Sequence, residues 1–123
     1  MKTRIAGTGH FLPKNVVTND DLAKIMDTSD EWISSRTGIR ERRLATEETT
    51  ASMSAEAAKL ALADAGISAQ DIDLIILATV SADHMTPSTA CEVQAAIGAD
   101  KAVAFDVNAA CSGFLFALQM ADM

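Results

Sequence analysis

The chain has 123 residues, 49 % of them hydrophobic and 22 % charged, which suits one globular domain of modest size or a piece of a larger one. Its net charge of −7 repels phosphate overall and excludes non-specific nucleic-acid binding, and no apolar run approaches the length of a membrane span. Two cysteines in no recognisable framework fit a reducing compartment, and Cys91, Cys111, His10 and His84 lack the paired spacing of a metal site.

Lys2 and Arg4 are followed at once by Gly7, Thr8, Gly9 and His10, so the opening does not read as a secretory signal and the cytoplasm is the expected location. Thr3 to Gly9 reads as a short strand entering a tight glycine turn, since no third glycine completes a dinucleotide fingerprint. The chain then continues irregularly to Thr18. There Thr18-Asn19-Asp20-Asp21 predicts a capped helix start, with Leu22, Ile25 and Met26 forming its apolar face.

The next segment carries more information. Thr28 and Glu31 have the spacing of a capping box, and the short helix they open runs through Trp32, Ile33 and Arg36 to Gly38. Trp32 and Arg36 are four apart and share one helix face. Four arginines, Arg36, Arg40, Arg42 and Arg43, fall together in an acidic chain. A tryptophan beside arginines suits a ligand with a flat ring and phosphates. The residues alone favour instead a core tryptophan beside a solvated strand in which the arginines pair with Glu41.

Ala45 to Thr50 is loop-like. From about Ala51 to Ala65 a helix is predicted, with Met53, Ala57, Leu60 and Ala61 on one face and Gly66 beyond its end. Leu74 to Thr79 reads as a central strand buried on both faces. After the loop 80–85, Thr86 is expected to cap a helix with Pro87 at its first position. Ala90, Val93 and Ile97 line that helix, Cys91 is a small buried residue within it, and Gly98 closes it.

Val103, Phe105 and Val107 alternate with small or polar residues as in a strand, whereas Leu115, Leu118 and Met120 follow helical spacing from Ser112, the expected helix start. Cys111 therefore sits where a strand turns into a helix. The partial positive charge of a helix start suits a nucleophilic sulfur. Its small neighbours Ala110, Ser112 and Gly113 admit a substrate carbonyl, and their N–H groups are placed to hold an oxyanion. A free cysteine is also a common buried hydrophobe, and spacing alone leaves both readings open. The alternation of strands and helices predicts an α/β fold with a mostly parallel sheet covered by helices, and the cysteine at the carboxyl end of a strand.

The stretch Asp106-Val107-Asn108-Ala109-Ala110-Cys111-Ser112-Gly113-Phe114 resembles the nucleophile turn of the β-ketoacyl-acyl carrier protein synthase III enzymes, which have the thiolase fold. Asp27-Thr28-Ser29-Asp30-Glu31-Trp32-Ile33, with Arg36, Thr37, Gly38, Ile39 and Arg42, resembles the same family's helix at the coenzyme A entrance. The resemblance runs from residue 1 to 123. It implies part of the first half of a thiolase-like fold: a single incomplete N-terminal domain that stops in the helix after Cys111. It implies Cys111 as the nucleophile and Thr28, Trp32 and Arg36 as the residues that hold the nucleotide end of coenzyme A, with Arg40, Arg42 and Arg43 as weaker candidates. It further implies a homodimer in which the segment before Pro87, with Thr86, reaches the partner's acyl pocket.

The activity implied is acyl transfer that initiates fatty-acid synthesis. A short acyl-CoA and malonyl-acyl carrier protein are the substrates and partners, with no metal or other cofactor. The family's catalytic histidine and asparagine lie outside the matched portion, and His10, His84 and Asn108 do not match them. The chain alone is therefore expected to fail in condensation. Two alternatives stand beside this reading: a related ketide synthase, and a non-catalytic fragment or subunit that needs a second chain.

Overall fold

The computed structural model describes residues 3–123; Met1 and Lys2, the latter part of the opening considered above, lie outside the described residues. The described chain forms two compact units, one of residues 12–48 and one of residues 3–11 with 49–123.

In the smaller unit, strand β1 (Asn15–Thr18) leads directly into helix α1 (Asn19–Ala23), followed by helix α2 (Asp30–Thr37) and strand β2 (Glu41–Leu44). The strands pair antiparallel, Asn15 opposite Leu44 and Thr18 opposite Glu41. The stretch expected to be irregular is so over residues 11–14, but its last part is a strand, because its partner lies far along the chain and leaves no local signal. α1 starts as expected. The Asp21 N–H donates to the Thr18 hydroxyl at 3.2 Å, and the Thr18 N–H donates to the Asp21 carboxylate at 3.0 Å. It ends at Ala23, so the predicted apolar face does not form and Ile25 and Met26 are exposed.

The predicted box at Thr28 does not form either. Ser29, one residue later, is the N-cap of α2, its hydroxyl accepting the Trp32 N–H at 3.1 Å. Serine is the better N-cap of the two, and the register that places the N–H of Trp32 over Ser29 prevails. The Thr28 hydroxyl is left buried, with no hydrogen-bond partner among the described residues.

The larger unit contains helix α3 (Thr50–Ala65), strand β3 (Leu74–Ala78), helix α4 (Thr89–Ile97), strand β4 (Val103–Val107) and helix α5 (Gly113–Asp122). β3 and β4 are parallel, with Leu74 opposite Val103 and Ala78 opposite Val107. α3 packs on α4, α4 on both strands, and α5 on β3. Ala55, Ala90, Val93, Ala99 and Ala102 form the buried core. Small side chains let these elements approach closely. Leu60, expected on the packed face of α3, is exposed.

Three further expectations change. Residues 3–9 belong to neither sheet. They lie instead against α3: a Cβ on Gly7 would sit 2.6 Å from the Ala61 carbonyl oxygen, and one on Gly9 only 2.1 Å from that of Ala57. The two glycines serve a close approach of two backbones, not a turn at a strand end. β3 is only half-buried, since its apolar run stands in a two-stranded sheet whose faces are partly open. α4 begins after Ser88, whose hydroxyl accepts the Cys91 N–H, so Thr86 is not its cap and Pro87 precedes the helix in a cis Thr86–Pro87 bond.

Candidate active site

β4 ends at Val107, and the chain passes through a 3-10 turn, Ala110–Ser112, into α5. Cys111 is at the centre of that turn and its side chain is exposed. Ala110 has a φ of 45°, a left-handed conformation uncommon for a residue with a Cβ. Such strain costs about 1–3 kcal/mol and persists only where the surroundings fix it. Gly113 supplies part of that constraint: it is buried, and an added Cβ would meet the Ala78 Cβ at 3.0 Å. The absence of a side chain there lets α5 start against the end of β3. Cys111 is thereby held near the carboxyl ends of both parallel strands.

Two details of the turn differ from expectation. The Ser112 N–H donates to the Ala109 carbonyl at 3.0 Å and the Gly113 N–H to that of Ala110, so both donors are engaged within the turn itself. The Ser112 side chain makes no capping bond to α5. Cys91, in contrast to Cys111, is half-buried; its sulfur lies 3.2 Å from the Ser88 hydroxyl and 3.7 Å from the Ala104 carbonyl.

Behind the turn stands a residue the sequence did not single out. Asp106, in β4, accepts the Thr89 N–H at 2.8 Å and the Ala90 N–H at 2.7 Å. Its carboxylate closes the N-terminus of α4, where orphan donors and the helix dipole favour a negative charge. A lone acid within an apolar strand was the available signal. Asp83 does the same for α3, accepting from Ala51 at 2.7 Å and Thr50 at 3.0 Å, while the Thr50 hydroxyl donates to the Ser81 carbonyl. The Ala51 and then the Thr50 N–H hold the Asp83 carboxyl below its ordinary value. His84 pairs with Glu92 at 3.0 Å. The loop is thus tied at both helices, while Thr86 itself is exposed.

In the smaller unit, Trp32 is 54 % exposed and therefore is not a core residue. The Arg36 guanidinium carbon lies 4.5 Å from the centre of its ring, within cation–π range. With Ser29, Glu31 and Ser35 they line a shallow cleft of about 270 Å³. Thr28 is not among its lining residues. Arg42 has a structural role, donating to the Val17 carbonyl at 3.1 Å and the Asn19 side-chain oxygen at 2.6 Å. Arg40 and Arg43 lie near Asp30 and Glu41. Arg36 makes no ion pair among the described residues, which leaves its charge available to an anion. Gly38, with a φ of 73°, ends the helix that presents the pair.

No protein-family model matches the chain. It is 59 % identical over 122 residues to "Beta-ketoacyl-[acyl-carrier-protein] synthase III" of Aquifex aeolicus, which covers 99 % of this chain and 40 % of that protein. The crystal structure of 3-oxoacyl-[acyl-carrier-protein] synthase III from Aquifex aeolicus superposes with a TM-score of 0.96 at 59 % identity, over 98 % of this chain and 39 % of the other. A priming β-ketosynthase from the R1128 polyketide biosynthetic pathway gives a TM-score of 0.92 at 39 % identity, over 96 % and 36 %. The chain thus spans about 40 % of the length of the curated relatives it matches. Its architecture is part of a thiolase-like α/β fold.

Proposed function

We propose that this chain, similar along its whole length to β-ketoacyl-acyl carrier protein synthase III, carries the acyl-accepting part of a condensing enzyme that initiates fatty-acid synthesis. The observation that carries the proposal is the exposed Cys111, held in a strained turn between a parallel strand and a helix. In this reading the Cys111 sulfur attacks the carbonyl carbon of a short acyl-CoA, the carbon–sulfur bond to coenzyme A breaks, and the thiol of CoA leaves. Malonyl-acyl carrier protein then loses carbon dioxide. The resulting enolate carbon attacks the acyl group and frees Cys111. Trp32 and Arg36 hold the nucleotide end of coenzyme A, Thr28 stands beside the start of the helix that carries them, and no metal or other cofactor takes part.

The enolate needs hydrogen-bond donors, which the family supplies as a histidine and an asparagine. Neither has a counterpart in the matched residues. In this reading the 123 residues are one incomplete thiolase-like domain, and those two groups come from the portion of the relatives' length that it does not span. The exposure of Phe114, Leu115, Phe116 and Leu118 on α5 supports that, since so much apolar surface on one short helix suits a covering partner. The complete enzyme is a cytoplasmic homodimer in which Thr86 borders the partner's acyl pocket. The likeness to the polyketide-priming β-ketosynthase favours a second reading, a related ketide synthase with a different acyl group.

The test uses a protein completed to the relatives' length, given acetyl-CoA and malonyl-acyl carrier protein. Acetoacetyl-acyl carrier protein is expected by mass spectrometry and is expected to vanish in Cys111→Ala. Its absence from the unaltered protein, with longer acyl-CoAs accepted, would favour the second reading; no condensation with any acyl-CoA would overturn both.

A further inference from the structure

We infer that Asn19 is the positioning residue for the α2 cleft: its buried amide grips both ends of α2 and so sets how Trp32 and Arg36 are presented to a nucleotide. The inference rests on the proposed reading of α2 as the helix that meets coenzyme A. Asn19 is 1 % exposed and is one of the largest fully buried side chains described. Its amide nitrogen donates to the Asp30 carboxylate, on the first residue of α2, at 2.8 Å. The same nitrogen donates to the Ile39 carbonyl, just past the Gly38 cap, also at 2.8 Å. Its oxygen accepts from Arg42 at 2.6 Å, and its backbone N–H donates to the Arg40 carbonyl at 3.2 Å.

The amide offers two donors and an acceptor, and all three functions are met. A satisfied buried polar network specifies one arrangement, because every alternative leaves a group unpaired. α2 has little else to hold it. None of its residues is buried, and eight residues are too few for a helix to be stable alone. Apolar packing, limited to the half-buried Ile33, does not by itself fix its direction. The clasp at its two ends does, and the Trp32–Arg36 pair rides on it.

Asn19→Asp keeps the size and the acceptor for Arg42 but removes both donors, setting a carboxylate against Asp30 and the Ile39 carbonyl. Two quantities are measured on the full chain. One is hydrogen exchange of the amides from Ile33 to Gly38, with α3 amides as the fold control. The other is coenzyme A affinity, read from the fluorescence of Trp32, the only tryptophan. The variant is expected to exchange at least tenfold faster in α2 with α3 unchanged, and to bind coenzyme A at least tenfold more weakly. Unchanged exchange in α2, or faster exchange with unchanged affinity, overturns the inference. If α3 protection is also lost, Asp30→Ala, which cuts one arm only, is measured instead; a threefold change in both quantities supports the clasp and no change overturns it. Failure of the unaltered chain to bind coenzyme A would sink the nucleotide reading, while α2 exchange still decides whether Asn19 positions the helix.

Discussion

The backbone N–H of Thr89 donates to the Asp106 carboxylate at 2.8 Å, so the strand that leads to Cys111 is fastened to the first residue of α4. The neighbouring Ala90 N–H makes the second half of the clamp. Replacing Asp106 by Ala leaves two donors at a helix N-terminus without that partner. The expected loss is about 1–3 kcal/mol, from the typical worth of a helix cap and of bonds to a charged acceptor. Asp106→Asn, which keeps one acceptor oxygen, is expected to lose less. Urea denaturation of both variants checks the order; equal stability of Asp106→Ala and the unaltered chain would contradict it.

Asp83 gives a prediction in pH. Its folded-state value is depressed by the N–H groups of Ala51 and Thr50. A depressed carboxyl contributes stability that is present above its unfolded value, about 4, and that is lost as pH falls through the lower folded value. Hydrogen exchange at Thr50 and Ala51 is therefore expected to lose protection progressively below about pH 4. Asp83→Asn should remove that particular pH dependence. Persistence of the acid transition in the variant would assign it to another group.

How far the sequence reached depended on distance along the chain. The Thr18–Asp21 capping box was legible because both partners sit three residues apart. The turn at Cys111 was legible because the apolar period changes there from that of a strand to that of a helix. At Thr28 and Ser29 two adjacent residues could each cap, and the folded register takes the second. The pattern at Thr86-Pro87 pointed to a helix start that Ser88 in fact provides. Asp106 was visible as an acid in an apolar strand, but its partners on α4 were not. The same holds for β1, whose partner is β2, and for the glycines at 7 and 9, whose neighbour is the α3 backbone. Local chemistry could be read where a single residue could supply it; long-range pairing could not.

Trp32→Ala and Arg36→Ala are each expected to weaken coenzyme A binding by about 1–3 kcal/mol, the range for a lost stacking or charge-assisted contact. Because both side chains are exposed, thermal stability should hardly change. Calorimetric titration of coenzyme A together with a melting curve checks this. Unfolding of Trp32→Ala with unaltered intrinsic affinity would contradict the assignment.

In the proposed reading Thr86 borders the partner's acyl pocket. The threonine side chain leaves more room there than a bulky residue would. In a protein completed to the relatives' length, acyl groups longer than acetyl are expected to be accepted, and Thr86→Phe to restrict them. Retention of long-chain activity in Thr86→Phe, compared over a series of acyl-CoAs, would remove Thr86 from the pocket.

The most direct test is the acylation of Cys111. The protein completed to the relatives' length is incubated with acetyl-CoA, and its intact mass and peptides are measured. One acetyl adduct mapping to Cys111 is expected, absent from both Cys111→Ser and Cys111→Ala. An adduct that persists in both variants, or that maps to Cys91, would contradict the assignment of Cys111 as the nucleophile.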